Sequence, residues 1–235
     1  MIELHYYLKS HSYPGRGLIL GISQNGEKAV AAYFITGRSK DSQNRIFVAE
    51  GREVHISTLG GNVNNPSLII YSPVRVCGNI LIVTNGDQTD TICSYIRNGH
   101  RFEDALRTRS FEPDPPIYTP RISGVMNLAD GGYMISILKK DPASPSRCIR
   151  AFYDYEPLVP GVGHFISTYI DNGDPLPVFS DEPYTVEIFD DIDDMSVCIW
   201  DSLNEQFKVS LFVRYIDLKT KEYETRVFNK YQQEL

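Results

Sequence analysis

Short runs of β-branched and aromatic residues, each closed by Gly, Asn, Asp or Pro, fill most of this chain and limit its possible folds more than any other feature. LILGIS (18–23), KAVAAYFI (28–35), RIFVAE (45–50), REVHISTL (52–59), SLIIYSPV (67–74) and NILIVTN (79–85) read as strands. The pattern changes between TNGDQTD and YTPR, where DTICSYIRNG and FEDALRTRS carry apolar residues at helical spacing. Ile92, Tyr95 and Ile96 share one face, Phe102, Ala105 and Leu106 another, and Asn98 and Gly99 end the first helix. Strand character returns in RISGVMNL, GYMISILK, RCIRAFYDY and HFISTYID, and KVSLFVRYIDL with YETRVFNKY predicts a terminal hairpin. Helices set between two groups of strands predict a layered α+β fold.

No repeat of fixed period and no long biased linker divides the 235 residues, so one domain over 1–235 is expected, with 181–235 as a C-terminal extension of it. The longest apolar runs fall short of a membrane span, and MIELHYYLKS lacks the basic-then-apolar layout of a secretory signal. A cytoplasmic location is therefore expected. Cys77, Cys93, Cys148 and Cys198 form no CxxC pair and read as reduced core thiols. The five histidines lack metal-ligand spacing, so no metal is expected; His164, in GVGHF, is within the set of groups that could reach a site. The acidic run EIFDDIDDM (187–195) lacks the glycine and ligand spacing of a calcium loop and reads as a solvated segment.

A net charge of −7 disfavours a general nucleic-acid or anionic-membrane surface, so any phosphate site must be local. The arginines follow that requirement. Arg16 in YPGRG, Arg38 in ITGRS, Arg45 in SQNR, Arg75 in YSPVR and Arg121 in YTPR all stand beside turn residues. The stretch FEPDPPIYTPRISG (111–124) carries Pro113, Pro115, Pro116 and Pro120, which stiffen it without a hydrogen-bonded ladder. It reads either as a solvated connection or as a rigid loop that holds something.

The ordered set YPGRG, ITGRS followed by NR, IIYSPVR, VTNGDQTD and YTPRISG, over residues 13–124, resembles the archaeal-type IMP cyclohydrolases and their bacterial relatives. The stretch from VTNGDQTD to YTPRISG, with two helices between, carries most of the likeness, and the last fifty residues carry least. The resemblance implies a four-layered αββα sandwich similar to the N-terminal-nucleophile hydrolases. It also implies a reaction: the carboxamide nitrogen of formamidoimidazole carboxamide ribotide attacks its formyl carbon, and loss of water gives inosine monophosphate.

Under that resemblance Arg38, Tyr71 and Glu112 are the catalytic candidates, and Arg16, Ser39, Asn44, Arg45, Asn85, Asp87, Asp90, Tyr118 and Arg121 the substrate-binding ones. Arg16, Arg38 and Arg45 suit the 5′-phosphate, because guanidinium offers a planar fork. Tyr71 suits the developing formyl oxyanion, Glu112 the amide proton, and Asn85, Asp87 and Asp90 the base or ribose. Each has a plainer reading: Tyr71 as a strand aromatic, Asp90 as a helix N-cap, Arg45 as the partner of a surface acid. No cofactor is implied; the partner is a small purine ribonucleotide, with no nucleic acid, no membrane and a homo-oligomer left open. An alternative is a purine-nucleotide-binding protein of this fold that has lost or changed the chemistry. An amide hydrolase of the related fold would need an N-terminal nucleophile, which Met1 followed by Ile2 does not offer.

Overall fold

A computed structural model describes residues 1–60 and 70–231. Two antiparallel sheets face each other. The first holds β1 (Arg16–Ile22), β2 (Lys28–Thr36), β10 (Val162–Ser167), β11 (Tyr184–Glu187), β12 (Lys208–Asp217) and β13 (Tyr223–Asn229) in the order β11-β10-β1-β2-β12-β13. The second runs in sequence order through β3 (Arg45–Glu50), β4 (Glu53–Thr58), β5 (Val74–Cys77), β6 (Ile80–Thr84), β7 (Arg121–Asn127), β8 (Tyr133–Asp141) and β9 (Ser144–Tyr155).

After Lys28, KAVAAYFI is apolar because β2 is covered on both faces. Ala29, Ala31, Tyr33 and Ile35 point into the core between the sheets, and Val30, Ala32 and Phe34 point outward, as a two-residue period requires. The outward set meets α1 (Leu4–Ser10), through Leu4 and Leu8, and α5 (Ile192–Trp200), through Ile192, Met195 and Ile199. On the other sheet Leu138 and Ile82 face outward onto α3 (Gln88–Arg97) and α4 (Phe102–Arg107). A four-residue helix, α2 (Lys40–Gln43), links β2 to β3. The α+β expectation holds, with a helical pair on each outer face.

Most predicted strands and both predicted helices form, and Asn98 with left-handed Gly99 ends α3. Four expectations change. SLIIYSPV is a strand only at its end: β5 begins at Val74, residues 70–73 approach it as irregular chain whose Tyr71 O and Pro73 O accept from Ile56 N (3.0 Å) and Thr84 N (2.8 Å), and 67–69 lie outside the described residues. The acidic run is not merely a solvated segment, because Asp191 accepts from the backbone N–H groups of Asp193 (2.7 Å) and Asp194 (3.0 Å) and so opens α5. The N-cap of α3 is Asp87, not Asp90, which lies in the first turn. Finally, Cys77 and Cys93 are joined in a disulfide with Cα atoms 5.7 Å apart, leaving Cys148 and Cys198 free. The end of β5 packs under α3, and that contact brings together two thiols whose sequence positions suggested no pair.

Candidate active site

Three arginines are each the first residue of a strand: Arg16 of β1, Arg45 of β3 and Arg121 of β7. A turn precedes each, so all three guanidinium groups emerge where a chain enters the sandwich. Gly15 makes the first turn possible. Its φ is +72°, a Cβ there would lie 2.2 Å from Thr168 Oγ1, and its carbonyl accepts from both Thr36 N (2.7 Å) and Thr36 Oγ1 (2.8 Å).

Glu112 is brought to the same place by its loop. Its backbone N–H donates to Thr119 O (2.9 Å), and Asp114 accepts from Thr119 N (2.7 Å) and Thr119 Oγ1 (2.5 Å), so the proline-rich excursion closes on itself. Glu112 and Arg121, at its two ends, are both buried. Burial pushes the Glu112 carboxyl up to about 7, against the opposing pull of Arg16, Arg121 and Arg45. Burial alone would lower the Arg16 guanidinium, but Glu112, followed by Tyr71, Tyr169 and Tyr13, holds it above its usual range. Tyr71 shares a hydroxyl–hydroxyl bond of 2.8 Å with Tyr33. Burial raises both hydroxyls, which therefore stay protonated as donors.

The arginines are not equally free. Arg45 donates from Nε to Ser42 O (2.9 Å) and from a terminal nitrogen to Thr36 O (3.3 Å). Arg121 is bound to Asp87 (2.7 Å) and to Gln88 Oε1 (2.5 Å). Arg16 has a buried Nε with no hydrogen-bond partner, as does Arg121, but no carboxylate is paired with Arg16 as Asp87 is with Arg121. Arg16, Glu112 and Tyr71 thus form an electrostatically coupled buried cluster in which Arg16 keeps an unpartnered donor.

Of the other predicted residues, Arg38 stands at the mouth. Its guanidinium lies 5.1 Å from the Tyr13 ring centroid and donates to Asn172 Oδ1 and Gly173 O, both at 3.1 Å. Tyr118 lines a cleft of about 610 Å³ there, with Arg38, Ile117, Lys139, Lys140 and Leu176. Five residues are held in framework contacts. Ser39 caps α2, accepting from Ser42 N, and Asn44 donates to Gly60 O (2.7 Å). Asn85, fully buried, bridges Pro120 O, Ile122 N and Gln88. Asp87 pairs with Arg109 (2.5 Å) and Arg121, and Asp90 pairs with Arg75 (2.8 Å). Partial burial works against the Asp87 carboxylate, but its two arginines hold it below the ordinary range.

His164 is elsewhere. It pairs with Leu20 on β1, four residues or roughly 13 Å along the strand from Arg16. There it bonds Tyr133 Oη (2.7 Å) and stacks 3.6 Å from Tyr155, and burial lowers it to about 4. Sequence reasoning missed Tyr33, Tyr13 and Tyr169, whose hydroxyl bonds Thr119 Oγ1 at 2.8 Å. Only the adjacency of Tyr13 to PGRG marked any of them. Among the described residues no group of three or more His, Cys, Asp or Glu could hold a metal ion, and no helix is long and apolar enough to cross a membrane.

Fold and site together define an α+β protein with a buried carboxyl poised near neutrality in a cationic recess, suited to moving a proton on a small anionic ligand. The sequence profile of the family described as IMP cyclohydrolase-like protein matches residues 13–222, and the chain belongs to that family. It is 32% identical to the IMP cyclohydrolase of Methanosphaera stadtmanae over 168 residues, 68% of this chain and 75% of the relative. The IMP cyclohydrolase of Methanococcus aeolicus is 32% identical over 67% of this chain and 74% of its own length. That of Methanopyrus kandleri is 27% identical, covering 67% and 93%.

Proposed function

We propose that this protein is an IMP cyclohydrolase, closing the purine ring of formamidoimidazole carboxamide ribotide with loss of water. The observation that carries the reading is Glu112: buried, its carboxyl pushed up to about 7 by that burial, and facing an Arg16 side chain with an unpartnered Nε. A carboxyl near neutrality both accepts and returns a proton at working pH.

In the addition step, Glu112 takes a proton from the carboxamide nitrogen as the C–N bond forms, and the formyl C=O becomes a C–O⁻. Tyr71 and Arg16 donate to that oxygen as it gains charge. Glu112 returns its proton to the oxygen, giving the carbinolamine. In the elimination, the former formamido nitrogen loses its proton, the hydroxyl leaves as water, and a C=N bond closes the aromatic ring. No electron changes hands, so no redox partner is required. Arg38, at the mouth, positions the ribotide. The layered architecture agrees with an αββα sandwich of the N-terminal-nucleophile hydrolase kind.

The test is direct: purified protein is mixed with the formylated ribotide and inosine monophosphate is followed by absorbance. Turnover that Glu112→Gln removes is expected. Tight nucleotide binding without turnover overturns the reading in favour of a binding protein.

A further inference from the structure

The recess that suits the chemistry does not suit the phosphate. A phosphomonoester carries nearly two negative charges at neutral pH. Placed beside Glu112, it would repel the carboxylate at low effective dielectric and hold it protonated, removing the base. Arg45 is already committed to protein partners, and Arg121 spends one terminal nitrogen on Asp87 and Gln88 while its buried Nε stays unpartnered. That leaves Arg16, and an Arg121 whose charge is already paired with the Asp87 carboxylate, against a dianion, in a space where Glu112 is only 3% exposed.

The mouth cleft has the complementary character. Arg38, Lys139 and Lys140 line it, against Asp174 as its carboxylate, with Ile117 and Leu176 as apolar wall. Lys139 donates to Phe179 O (3.1 Å) and keeps two further N–H donors. Lys140 sits 4.8 Å from the Tyr118 ring centroid. Tyr118 is itself constrained: its φ is +52°, a costly conformation for a residue with a side chain, fixed by Tyr118 N–H donating to Asp114 O (3.2 Å). The loop that buries Glu112 at one end therefore holds a tyrosine against a lysine at its tip. Burial pushes the Lys139 ammonium's pKa down, a penalty that an anion in the cleft would offset.

We infer that this cleft is the 5′-phosphate subsite, with Lys139 and Lys140 as phosphate-binding residues beside Arg38, and that Arg16 serves the reacting end instead. The assignment rests on the ring-closure reading for the identity of the ribotide, but not for the recognition of a phosphomonoester. It revises the expectation that Arg16 and Arg45 hold the phosphate. Arg38 occupies the boundary, since the Tyr13 ring beneath it stacks on Tyr169 at 6.0 Å, and Tyr169 borders the recess.

Calorimetric titration of the full chain with inosine 5′-monophosphate and with inosine separates the two ends. Wild type should prefer the nucleotide strongly. Lys139→Gln and Lys140→Gln should each weaken nucleotide binding about tenfold or more, the worth of a charged hydrogen bond, and leave inosine binding unchanged. In turnover they should raise KM and spare kcat. Arg16→Gln should reduce kcat and preserve the preference for nucleotide. Unchanged nucleotide binding in both lysine variants overturns the assignment. So does loss of the preference in Arg16→Gln alone, or a wild type that binds neither the nucleotide nor inorganic phosphate. A wild type that shows the lysine-dependent preference yet never closes the ring sinks the ring-closure reading and leaves the phosphate subsite standing.

Discussion

Tyr33 and Tyr71 share a 2.8 Å bond between their hydroxyls, one residue on a central strand of the first sheet and the other just before β5 of the second. The bond crosses the core between the sheets and fixes where the Tyr71 hydroxyl points. Tyr71→Phe should lower the single-turnover rate about 10²–10³-fold, the usual cost of one oxyanion donor. Tyr33→Phe leaves the donor but frees its orientation, so its defect should be smaller. The two should not add, because both act on one hydroxyl. A double-mutant cycle in which the rate losses simply multiply would show that the pair is not a unit.

Asn85 holds the strand ends of β6 and β7 together through Pro120 O and Ile122 N. Asn85→Ala leaves those buried groups without partners, at about 1–3 kcal/mol each. Chemical denaturation should show the loss, while kcat per folded molecule changes little. A variant of full stability with a raised KM or a reduced kcat would return Asn85 to the ligand pocket.

The Cys77–Cys93 bond closes a loop with a sequence separation of 16. In the chain-entropy account a loop of this length is worth about 3 kcal/mol. Cys93→Ser, or reduction under native conditions, should therefore lower the unfolding midpoint. Thiol titration of the denatured, unreduced protein should find Cys148 and Cys198 only. Four reactive thiols would show that the pair is not bonded.

The strands were legible because their covering shows in the sequence: KAVAAYFI is apolar from Ala29 onward, as a strand buried on both faces must be. The helix α1 was not, since it is only seven residues long and buries just Leu4 and Leu8. Nor was α5, whose cap is one aspartate among several. In the site, Glu112 and Arg121 stood out because a proline-stiffened loop joins them. Asn85, Asp87 and Asp90 read as pocket residues from the same kind of signal, yet their partners are protein groups far along the chain. A polar residue beside a turn shows that a hydrogen bond is wanted, not whether protein or ligand supplies it. Tyr33 was hidden for the opposite reason, since an aromatic residue on a central strand looks like packing alone.

Glu112 carries the clearest pH signature. Its carboxyl is raised from 4.5 to about 7 on folding, chiefly by burial. The folded chain therefore binds this proton more tightly than the unfolded chain does. The group's stability contribution is complete below about pH 4.5, declines as pH rises through 4.5 to 7, and is fully lost above that window. A gap of this size corresponds to about 3 kcal/mol. Glu112→Gln has no charge to bury, so it should match wild type at low pH and exceed it by up to about 3 kcal/mol near pH 8, measured from urea midpoints across pH. Activity should run the other way. Wild-type kcat/KM should rise through a limb near pH 7 as the base forms, Tyr71→Phe should keep that limb, and Glu112→Gln should lose it along with roughly 10²–10⁴ in rate. Asp114 cannot substitute, because both its oxygens are already bound to Thr119. If Glu112→Gln gains no stability at high pH and turns over at the wild-type rate, the carboxyl is neither destabilised by burial nor the base, and the proton is carried by another group.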